Sequence, residues 1–405
     1  MKIKIKNFGP IKDGILENNG WIDIKKVTLF IGDQGSGKST IAKLISTFMW
    51  IEKALVRGDF DEKWLERKNR LKNYFFKYHR LENYFNHPDN SVIEYVGDAF
   101  HFIYEKNTLK VITVLGDNYK LPQIMYVPAE RNFISYVKSA NELKLSSESL
   151  QEFLTEFDNA LNSLNSRFEL PIDNLIVEYD KQHKIINIKN KDHKVRLSES
   201  SSGIQSLVPL YLVSNFLSNS IKISSENKES MSSQEQNRFK NIVVEIYNND
   251  NLTIEQKRLA VSALSERFNK KTFINIVEEP EQNLFPLSQW KMLSSLLVLN
   301  NLVLNNKLIM TSHSPYIVNY LSISVQAREL IDKINDKDQK DKIANVINLN
   351  STISSREISI YELNNGLISK LSDYEGIPSD NNYLNLMLKK GNEIFDQLLE
   401  IEEEL

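Results

Sequence analysis

The feature that most constrains this chain is a glycine-rich segment at residues 32–39, which reads GDQGSGKS and fits the pattern G-x-x-x-x-G-K-[ST]. The apolar run 27–31 precedes it, and a helical pattern from about Ser39 to Leu55 follows it. Strand, glycine loop and helix in that order form the context in which such a loop cradles a polyphosphate. The alternative is an ordinary glycine turn, which requires neither flanking element. The segment therefore predicts an α/β fold with a phosphate site at the end of a buried strand.

The residue types in this loop suit a nucleotide. Glycines accept positive φ and lack a Cβ, so backbone N–H groups come close to phosphate oxygens at a helix N-terminus. Lys38 places a charge on the β- and γ-phosphates, and the Ser39 hydroxyl can ligate Mg²⁺. We therefore predict ATP and Mg²⁺ as cofactors. The predicted nucleotide-binding residues are Gly32, Asp33, Gln34, Gly35, Ser36, Gly37, Lys38, Ser39 and Thr40.

Two consecutive carboxylates follow a second apolar run. Residues 273–277 read FINIV and lead into Glu278 and Glu279. In an open α/β sheet, ligands bind at the carboxyl ends of the strands, where one carboxylate can hold Mg²⁺ and the next can orient the attacking water. We assign Glu278 to the metal and Glu279 to the water. The alternative is a solvated acidic turn.

A histidine closes a third apolar run. Residues 307–311 read KLIMT, and His313 follows two positions later. There it could hydrogen-bond the γ-phosphate or the attacking water and act as a sensor. The alternative is a structural or surface histidine. We predict that His313 acts with Glu279 in catalysis.

A serine–glycine turn precedes a long apolar helix. Residues 197–205 read LSESSSGIQ. Serine hydroxyls and a glycine at a helix N-terminus form an anion site. The alternative is a helix N-cap after a flexible linker.

Bulk properties exclude several classes. Formal net charge is −3, from 50 basic and 53 acidic side chains, which argues against a nucleic-acid coat protein. The chain has no cysteine, so disulfides and thiolate zinc sites are excluded. The N-terminus lacks an apolar signal segment, and the apolar stretches are too short to span a bilayer. We therefore expect a cytoplasmic protein without membrane insertion.

The remaining sequence organises around these motifs. We predict one domain over residues 1–405, with a helical pattern at 61–85, a hairpin at 175–188 and a short acidic helix at 395–405. Its predicted parts are an insertion at 56–120 after the loop helix, a helical lid or arm at 136–200, a mobile and helical insertion at 218–270, and a C-terminal strand pair with an acidic helix at 322–405.

The four motifs, in this order, resemble the ABC ATPase superfamily and specifically its SMC-like branch. The match looks best for the ATPase part of OLD-like proteins and related bacterial antiphage-defence ATPases. Besides the loop, the resembling segments are IKNFGPIK at 5–12, YVPAERNF at 126–133, VEEPEQNLFP at 277–286 and LIMTSHSPYIV at 308–318.

The resemblance implies an α/β fold of the ABC-type P-loop ATPase core, with a mixed antiparallel N-terminal sheet, a central parallel sheet and helical insertions. It implies a dimer, or a higher homo-oligomer, in which two copies meet head to tail around Mg·ATP. The signature residues that would cap ATP bound by the opposite copy are Ser201, Ser202, Gly203 and Gln205. Candidates for the Q-loop role are Gln123, Glu130 and Arg131.

Three departures from the patterns of related families bear on which function is expected. Ile204 stands where transporter ATPases have glycine, and Glu278 stands where their acid is aspartate. Only about ninety residues follow His313, which leaves no room for the nuclease domain that OLD nucleases append. We therefore expect any nuclease or toxin to be a separate effector protein.

Three functions could use this ATP-dependent switch. The first is control of a separate toxin or nuclease in a bacterial antiphage-defence system. The second is a RecF-like DNA recombination or repair ATPase that binds DNA through the basic and aromatic segment 67–80, for which a lid helix with a charged outer face is the alternative. The third, a transporter ATPase subunit, is disfavoured by the signature and the length.

Overall fold

The computed structural model describes residues 1–85, 90–114, 119–137, 145, 147–164, 167–226, 241–246, 248–249, 252, 256–257, 260, 264 and 270–403. Its strands, in chain order, are β1 (Lys2–Lys6), β2 (Gly14–Ile15), β3 (Ile22–Asp23), β4 (Val27–Gly32), β5 (Val92–Val96), β6 (Phe100–Glu105), β7 (Thr108–Thr113), β8 (Pro122–Val127), β9 (Arg167–Glu169), β10 (Ile176–Asp180), β11 (Ile185–Lys189), β12 (Lys194–Arg196), β13 (Thr272–Glu278), β14 (Lys307–Ser312), β15 (Ile358–Asn364), β16 (Leu367–Lys370), β17 (Asp373–Tyr374) and β18 (Ile377–Pro378).

The α-helices are numbered in the same way. They are α1 (Lys38–Arg57), α2 (Glu62–Leu65), α3 (Glu148–Ser163), α4 (Ser202–Glu226), α5 (Pro286–Asn301), α6 (Pro315–Lys333), α7 (Lys337–Ala344) and α8 (Tyr383–Glu403).

The N-terminal sheet is antiparallel, with strand order β3-β1-β5-β6-β7. β1 alternates lysine and isoleucine, and its Ile3 and Ile5 side chains are buried, as the period of a strand requires. The segment 56–120, predicted as an insertion, supplies β5, β6 and β7 to this sheet.

The central sheet has the order β2-β16-β15-β4-β14-β13-β8. The five adjacent strands from β15 to β8 run parallel to one another. Every residue of β4, β8 and β13 is buried, because helices cover both faces of a parallel sheet. The predicted fold class is therefore confirmed: an antiparallel N-terminal sheet and a largely parallel central sheet in one α/β fold.

Helix α1 lies between the two sheets. Its Ile41, Ile45 and Phe48 belong to a hydrophobic cluster that includes Ile3 of the N-terminal sheet and Ile309 of the central sheet. A second cluster fills the other face of the central sheet, where α3, α4, α5 and α6 pack. Burial on both sides fixes the glycine loop, which joins β4 to α1, between two rigid elements.

The helical expectation for 61–85 is wrong. Only α2 and one π-helical turn at Leu71–Phe75 are helical there. Asn69 and Arg80 have positive φ, which a right-handed helix does not accommodate. Aromatic packing stabilises the irregular path, since the Phe60, Trp64 and Phe75 rings contact one another.

Two further segments differ from expectation. The arm 136–200 contains α3, but also a four-stranded antiparallel sheet of order β12-β11-β10-β9, so it is not mainly helical. The predicted hairpin at 175–188 is confirmed by the pairing of β10 with β11. Helix α4 continues through 218–226, where a mobile loop was expected, because Ser218 and Ile221 remain buried against its neighbours. Most of 227–269 lies outside the described residues.

The C-terminal strand pair joins the central sheet directly. β15 pairs in parallel with β4, and β16 pairs with β15. The acidic helix is longer than expected, because α8 begins at Tyr383. None of the described helices is long and apolar enough to cross a bilayer.

Candidate active site

The predicted site residues meet at the carboxyl edge of the central sheet. The loop 33–37 follows β4, His313 follows β14, and Glu279 follows β13. These three strands are adjacent and parallel, and their registers bring Ser312 beside Ile31 and Glu278 beside Thr311. Three motifs that are far apart in the chain therefore share one edge of one sheet.

Three glycines shape the loop after β4. Gly32, Gly35 and Gly37 all have positive φ. A Cβ on Gly32 would overlap the carbonyl oxygen of Leu363 in β15, whereas one on Gly35 would meet nothing within 4 Å. The loop is thus packed on one side and open on the other, where the N-terminus of α1 also faces.

Lys38 is buried and turned back into the loop. Its Nζ donates to the Gly32 oxygen at 2.9 Å and to the Asp33 oxygen at 2.7 Å. Burial lowers the pKa of Lys38 to about 8, against the opposing effect of nearby carboxylates, first among them Glu279. A bound polyphosphate would supply the negative charge that compensates this ammonium group.

His313 lies between Lys38 and Glu279. Its Nδ1 is 3.5 Å from Lys38 Nζ, and its Nε2 is 3.5 Å from Glu279 Oε1. Burial lowers the pKa of His313, and the Lys38 charge lowers it further, so the ring is neutral near pH 7.

Glu281 holds the turn that carries His313. Its Oε1 accepts from the His313 backbone N–H at 2.7 Å and from the Ser312 hydroxyl at 2.8 Å. Burial raises the pKa of this carboxyl group, with a smaller contribution from Glu279. Sequence reasoning gave Glu281 no role, since only the folded chain brings β13 and β14 together at this point.

Glu279 adopts a backbone conformation that is rare for a side chain of its size. Its φ is +45°, and its N–H donates to the Thr311 oxygen at 2.9 Å. Such a conformation costs about 1–3 kcal/mol and persists only where neighbouring contacts impose it. It brings the Glu279 carboxylate into the cleft rather than into the sheet.

Arg131 imposes part of that conformation. Its side chain is fully buried, and Nη1 and Nη2 donate to the carbonyl oxygens of Glu278 at 2.6 Å and Glu279 at 2.5 Å. Its Nε donates to the Ser206 oxygen in α4 at 3.1 Å. Arg131 therefore ties the acidic strand end to α4.

Glu278 and Ser39 fit a magnesium ion bound together with phosphate. Glu278 is buried, its Oε2 accepts from the Ala129 N–H at 3.1 Å, and its Oε1 has no hydrogen-bond partner among the described residues. No cluster of three or more potential metal ligands occurs in the described part of the chain. Proteins bind Mg²⁺ through one or two carboxylates plus substrate phosphates, so one carboxylate and one hydroxyl group are a donor set that fits this ion.

The residues around Lys38 line a cleft of about 770 Å³. Its lining comprises Gly9, Pro10, Gln34, Gly35, Gly37, Lys38, Ser39, Thr40, Asn83, Tyr84, Glu279 and His313. The wall formed by Asn83 and Tyr84 was not predicted, because the helical reading of 61–85 concealed it. Gly9 has φ +54° and no Cβ, which lets the Tyr84 ring lie against its backbone.

Among the other loop residues, Ser36 has a buried hydroxyl without a hydrogen-bond partner in the described residues, and Asp33 accepts from the Tyr383 hydroxyl at 2.8 Å.

The predicted signature residues lie outside this cleft, at the start of α4. Ser201 and Ser202 are exposed. Gly203 is buried, and a Cβ on it would lie 2.5 Å from the Asn283 oxygen. Gln205 faces inward, where its Nε2 donates to the Ser198 and Ser200 oxygens. Only the two serines are thus available to a ligand or partner.

The three Q-loop candidates occupy different places. Gln123 pairs with Phe273 near the start of β8, about 16 Å of strand away from the carboxyl edge, so the structure does not bring it to the site. Glu130 is exposed and forms an ion pair with Arg80 at 3.3 Å. Arg131 is committed to backbone carbonyls, as described above.

Comparisons with known proteins give a weak likeness. No protein-family profile matches the chain, and no curated protein matches it. Among solved structures it is similar to the SMC head domain from Thermotoga maritima, with 12% identity, coverage of 92% of this chain and 98% of that chain, and a TM-score of 0.37. An SMC head domain with an extended coiled coil from Pyrococcus furiosus shows 11% identity, 98% coverage of both chains and a TM-score of 0.34. A nucleotide-free ATP-binding cassette from an ABC transporter shows 14% identity, coverage of 93% and 94%, and a TM-score of 0.29. Likeness at this level says nothing about activity.

Proposed function

We propose that this chain binds ATP with Mg²⁺ in the cleft around Lys38 and hydrolyses it. The observation that carries the proposal is the meeting of Lys38, His313 and Glu279 at the ends of three adjacent parallel strands. The glycine loop and Lys38 would hold the phosphates, and Ser39 and Glu278 would hold the ion. Bound Mg²⁺ would neutralise charge on the β- and γ-phosphates.

The chemical step needs a positioned water and a stabilised leaving group. The Glu279 carboxylate accepts a hydrogen bond from water, whose oxygen attacks the γ-phosphorus as the bond to the β,γ-bridging oxygen breaks. ADP leaves with that oxygen, and the proton of the water passes to Glu279 or to phosphate. Lys38 stabilises the charge that develops, and His313 contacts the γ-phosphate.

The Tyr84 wall suits the nucleoside part of the ligand. An aromatic ring beside a base contributes about 1–3 kcal/mol by stacking. Tyr84→Ala should raise the Kd for ATP by about tenfold or more, whereas Tyr84→Phe should leave it nearly unchanged. Equilibrium binding of a fluorescent ATP analogue measures both, and equal Kd values for all three proteins would remove Tyr84 from the site.

The test of hydrolysis uses two variants with different expected defects. Glu279→Gln should bind ATP with a Kd near that of wild type and lose most turnover, because the amide cannot accept the proton. Lys38→Ala should lose binding itself. Phosphate release and analogue binding are measured on both, and wild-type turnover in Glu279→Gln would reassign the base.

We further propose that two copies meet head to tail, so that Ser202 of one copy caps ATP bound by the other. Its support is the exposure of Ser201 and Ser202 outside their own chain's cleft, at a helix N-terminus that favours anions. Gly203 and Gln205 would act indirectly by holding the turn in place.

Mixing two inactive variants tests this arrangement. Lys38→Ala retains an intact Ser202, and Ser202→Arg retains an intact nucleotide loop. In an equal mixture half of the dimers are mixed, each with one complete site, so about a quarter of wild-type turnover should return. Wild-type turnover in Ser202→Arg alone, or no recovery in the mixture, would contradict the composite site.

The proposed biological role is control of a separate effector in antiphage defence. Its support is the resemblance of the sequence motifs to OLD-like ATPases. The test is to co-express the chain with each neighbouring gene product and measure binding with ATP, with ADP and without nucleotide. Binding that ignores the nucleotide in every case would contradict a switch.

One observation favours the DNA-binding alternative. Arg67, Lys68 and Lys77 are exposed on the same segment as Tyr74, whose side chain is 56% exposed. Arg70 lies over the Trp64 and Tyr74 rings, and Lys72 lies over Phe85, so these two also support packing. Charge reversal of Arg67, Lys68 and Lys77 should abolish salt-dependent DNA binding if this surface is used, while reversal of the exposed Lys337 serves as control. Unchanged binding in the triple variant would reject the alternative.

A further inference from the structure

The C-terminal helix α8 is almost entirely exposed. Only its first residues touch the rest of the described chain, where the Tyr383 N–H donates to Glu362 Oε1 at 2.7 Å and Leu384 packs on the core. Every residue from 386 to 403 is exposed, including Ile394, Phe395 and Leu398 at 50%, 61% and 59%. A helix of this length derives most of its stability from packing an apolar face, and the described residues offer α8 none.

Several apolar residues of α8 form a stripe with a heptad spacing, while the exposed Leu388 and Phe395 lie beside this stripe and Leu386 and Leu399 lie away from it. The residues of the stripe recur at intervals of three and four residues over about two and a half heptads, a distance of about 26 Å along the helix. We define the α8 seam as Leu384, Met387, Gly391, Ile394, Leu398 and Ile401. Alternation of three and four is the pattern by which one helix packs along another, so the expected occupant of the seam is a helix.

Gly391 supports a close-packed occupant. Glycine in a helix interior costs about 1 kcal/mol relative to alanine. A Cβ at Gly391 would meet nothing within 4 Å among the described residues, so packing within the chain does not require glycine there. A neighbouring helix that crosses the seam near its middle would require glycine at this position.

The charges of α8 select the partner and its direction. The first part of the helix carries Lys389 and Lys390 and no acid, and the second part carries five acids and no base. The acids are Glu393, Asp396, Glu400, Glu402 and Glu403. A second α8 in parallel register would set acidic half against acidic half, whereas an antiparallel one sets the lysines of each copy beside the acids of the other.

We propose that α8 is a self-association helix, and that two copies of the chain pair their α8 helices antiparallel along the seam. In the register that matches the apolar layers, Met387 faces Leu398 of the other copy, and Gly391 faces Ile394. This contact needs no nucleotide and involves none of the cleft residues. It is therefore distinct from the head-to-tail contact through Ser202.

The first test measures mass without nucleotide. Sedimentation velocity across a dilution series should show a dimer for wild type and a monomer for Leu398→Glu. Leu399→Glu is the matched control, because it makes the same change on the adjacent residue, which lies away from the seam and is 42% exposed. Both sites are exposed, and circular dichroism verifies that the fold is retained. A monomeric wild type at all concentrations, or equal effects of the two variants, would overturn the proposal.

The second test fixes the direction of pairing, and it is clean because the chain contains no cysteine. Met387→Cys and Leu398→Cys proteins are oxidised separately and as a mixture. Antiparallel pairing predicts a disulfide dimer chiefly in the mixture, since the two positions face each other within the distance a disulfide spans. Disulfide dimers in each separate sample, with no cross-linked heterodimer in the mixture, would indicate parallel pairing and contradict the proposal.

A third measurement separates this contact from the proposed ATP-dependent one. Lys38→Ala and Ser202→Arg should remain dimeric without nucleotide, because neither residue belongs to α8. Should both become monomeric, the dimer belongs to the nucleotide site and the role of α8 is refuted. Should they stay dimeric while their mixture shows no turnover, the α8 contact stands and the composite active site fails.

Discussion

At the scale of single residues, Lys38 is the most informative side chain. It is an ammonium group held in a buried loop, with a pKa of about 8 in the free protein. Bound phosphate favours the protonated form, so the pKa of Lys38 is higher in the complex than in the free protein. In the proposed ATP complex the protein would therefore take up a proton on binding ATP when the pH exceeds about 8.

We predict that ATP affinity falls with rising pH for this reason. The Kd should be nearly constant below about pH 8 and rise above it, by at most about tenfold per pH unit. Isothermal titration with a non-hydrolysable analogue from about pH 7 to about pH 9 measures it. Lys38→Met should bind weakly with no such rise, and a flat profile in wild type would contradict the assignment.

Arg131 should act as a positioning residue. Arg131→Met keeps the length of the side chain but leaves the carbonyl groups of Glu278, Glu279 and Ser206 without their donor. We expect the free energy of unfolding to fall by about 3 kcal/mol or more. We also expect kcat to fall while KM changes little, because Glu279 loses its imposed conformation.

Arg80→Met is the control for Arg131, since the Arg80 side chain forms a surface ion pair with Glu130. Its effect on the free energy of unfolding should stay within about 1 kcal/mol. Equal effects of the two variants in chemical denaturation, or an unchanged kcat in Arg131→Met, would reject the positioning role.

The sequence predicted those residues whose chemistry follows directly from a motif. The loop, Glu278, Glu279 and His313 stand at strand ends, and the end of a buried strand is visible in the sequence. Arg131 and Glu281 were not assigned these roles, because their partners are backbone groups on other strands. Gln123 was misplaced for the same reason, since the direction of β8 relative to β13 decides which end reaches the site.

At the scale of elements, the turn between β5 and β6 rests on a buried carboxylate. Glu52 in α1 accepts from the Ala99 N–H at 2.7 Å and the Phe100 N–H at 3.1 Å. Burial raises the pKa of Glu52 to about 7, against the effect of these N–H groups. A Cβ on Gly97 would overlap the Glu52 carboxylate, so the turn and the helix fit closely.

We predict that stability falls between pH 5 and pH 8 because of Glu52. A raised folded-state pKa means that the folded chain keeps a proton that the unfolded chain has lost. The free energy of unfolding is therefore highest below the ordinary carboxyl pKa and falls as pH rises through about 7, by about 3 kcal/mol in total. Glu52→Gln keeps the acceptor oxygen and should remove this decline in chemical denaturation at several pH values. The exposed Glu62→Gln should keep it, and identical profiles in Glu52→Gln and wild type would contradict the prediction.

Periodicity predicted some elements and not others. The uninterrupted apolar runs became β4, β13 and β14, because the strands of a parallel sheet are buried on both faces. The segment 61–85 did not become a helix, since its aromatic residues pack with one another rather than along one helical face. Its positive-φ positions, Asn69 and Arg80, give no clear signal in the sequence.

At the scale of the whole molecule, the surface that carries Ser202 is coupled to the cleft. Gly203 packs against Asn283, in the segment that also holds Glu281, and the Ser206 hydroxyl donates to Gln282 Oε1 at 3.1 Å. A partner that binds at the start of α4 therefore contacts a helix that is packed against the segment following β13, which carries Glu279. In the proposed head-to-tail dimer, this coupling would make turnover depend on the second copy.

We predict that Gly203→Ala uncouples the two. The added methyl group would lie 2.5 Å from the Asn283 oxygen, so α4 or the 281–284 segment must shift. Turnover and the free energy of unfolding should both fall, the latter by about 1–3 kcal/mol. Asn319→Ala, at an exposed position inside α6, should instead leave the free energy of unfolding within about 0.5 kcal/mol of the wild-type value. Wild-type turnover in Gly203→Ala would show that α4 and the cleft are independent.

The strand order of the central sheet also affects how the protein folds during translation. β15 is hydrogen-bonded along β4, and the Leu363 carbonyl packs against Gly32, so residues made late in translation complete the surroundings of residues made early. Until the nascent chain has extended past residue 364, β4 presents an unpaired edge, which is a site for aggregation. Premature termination between residues 318 and 358 should consequently yield a polypeptide that has all the nucleotide motifs and yet depends on chaperones.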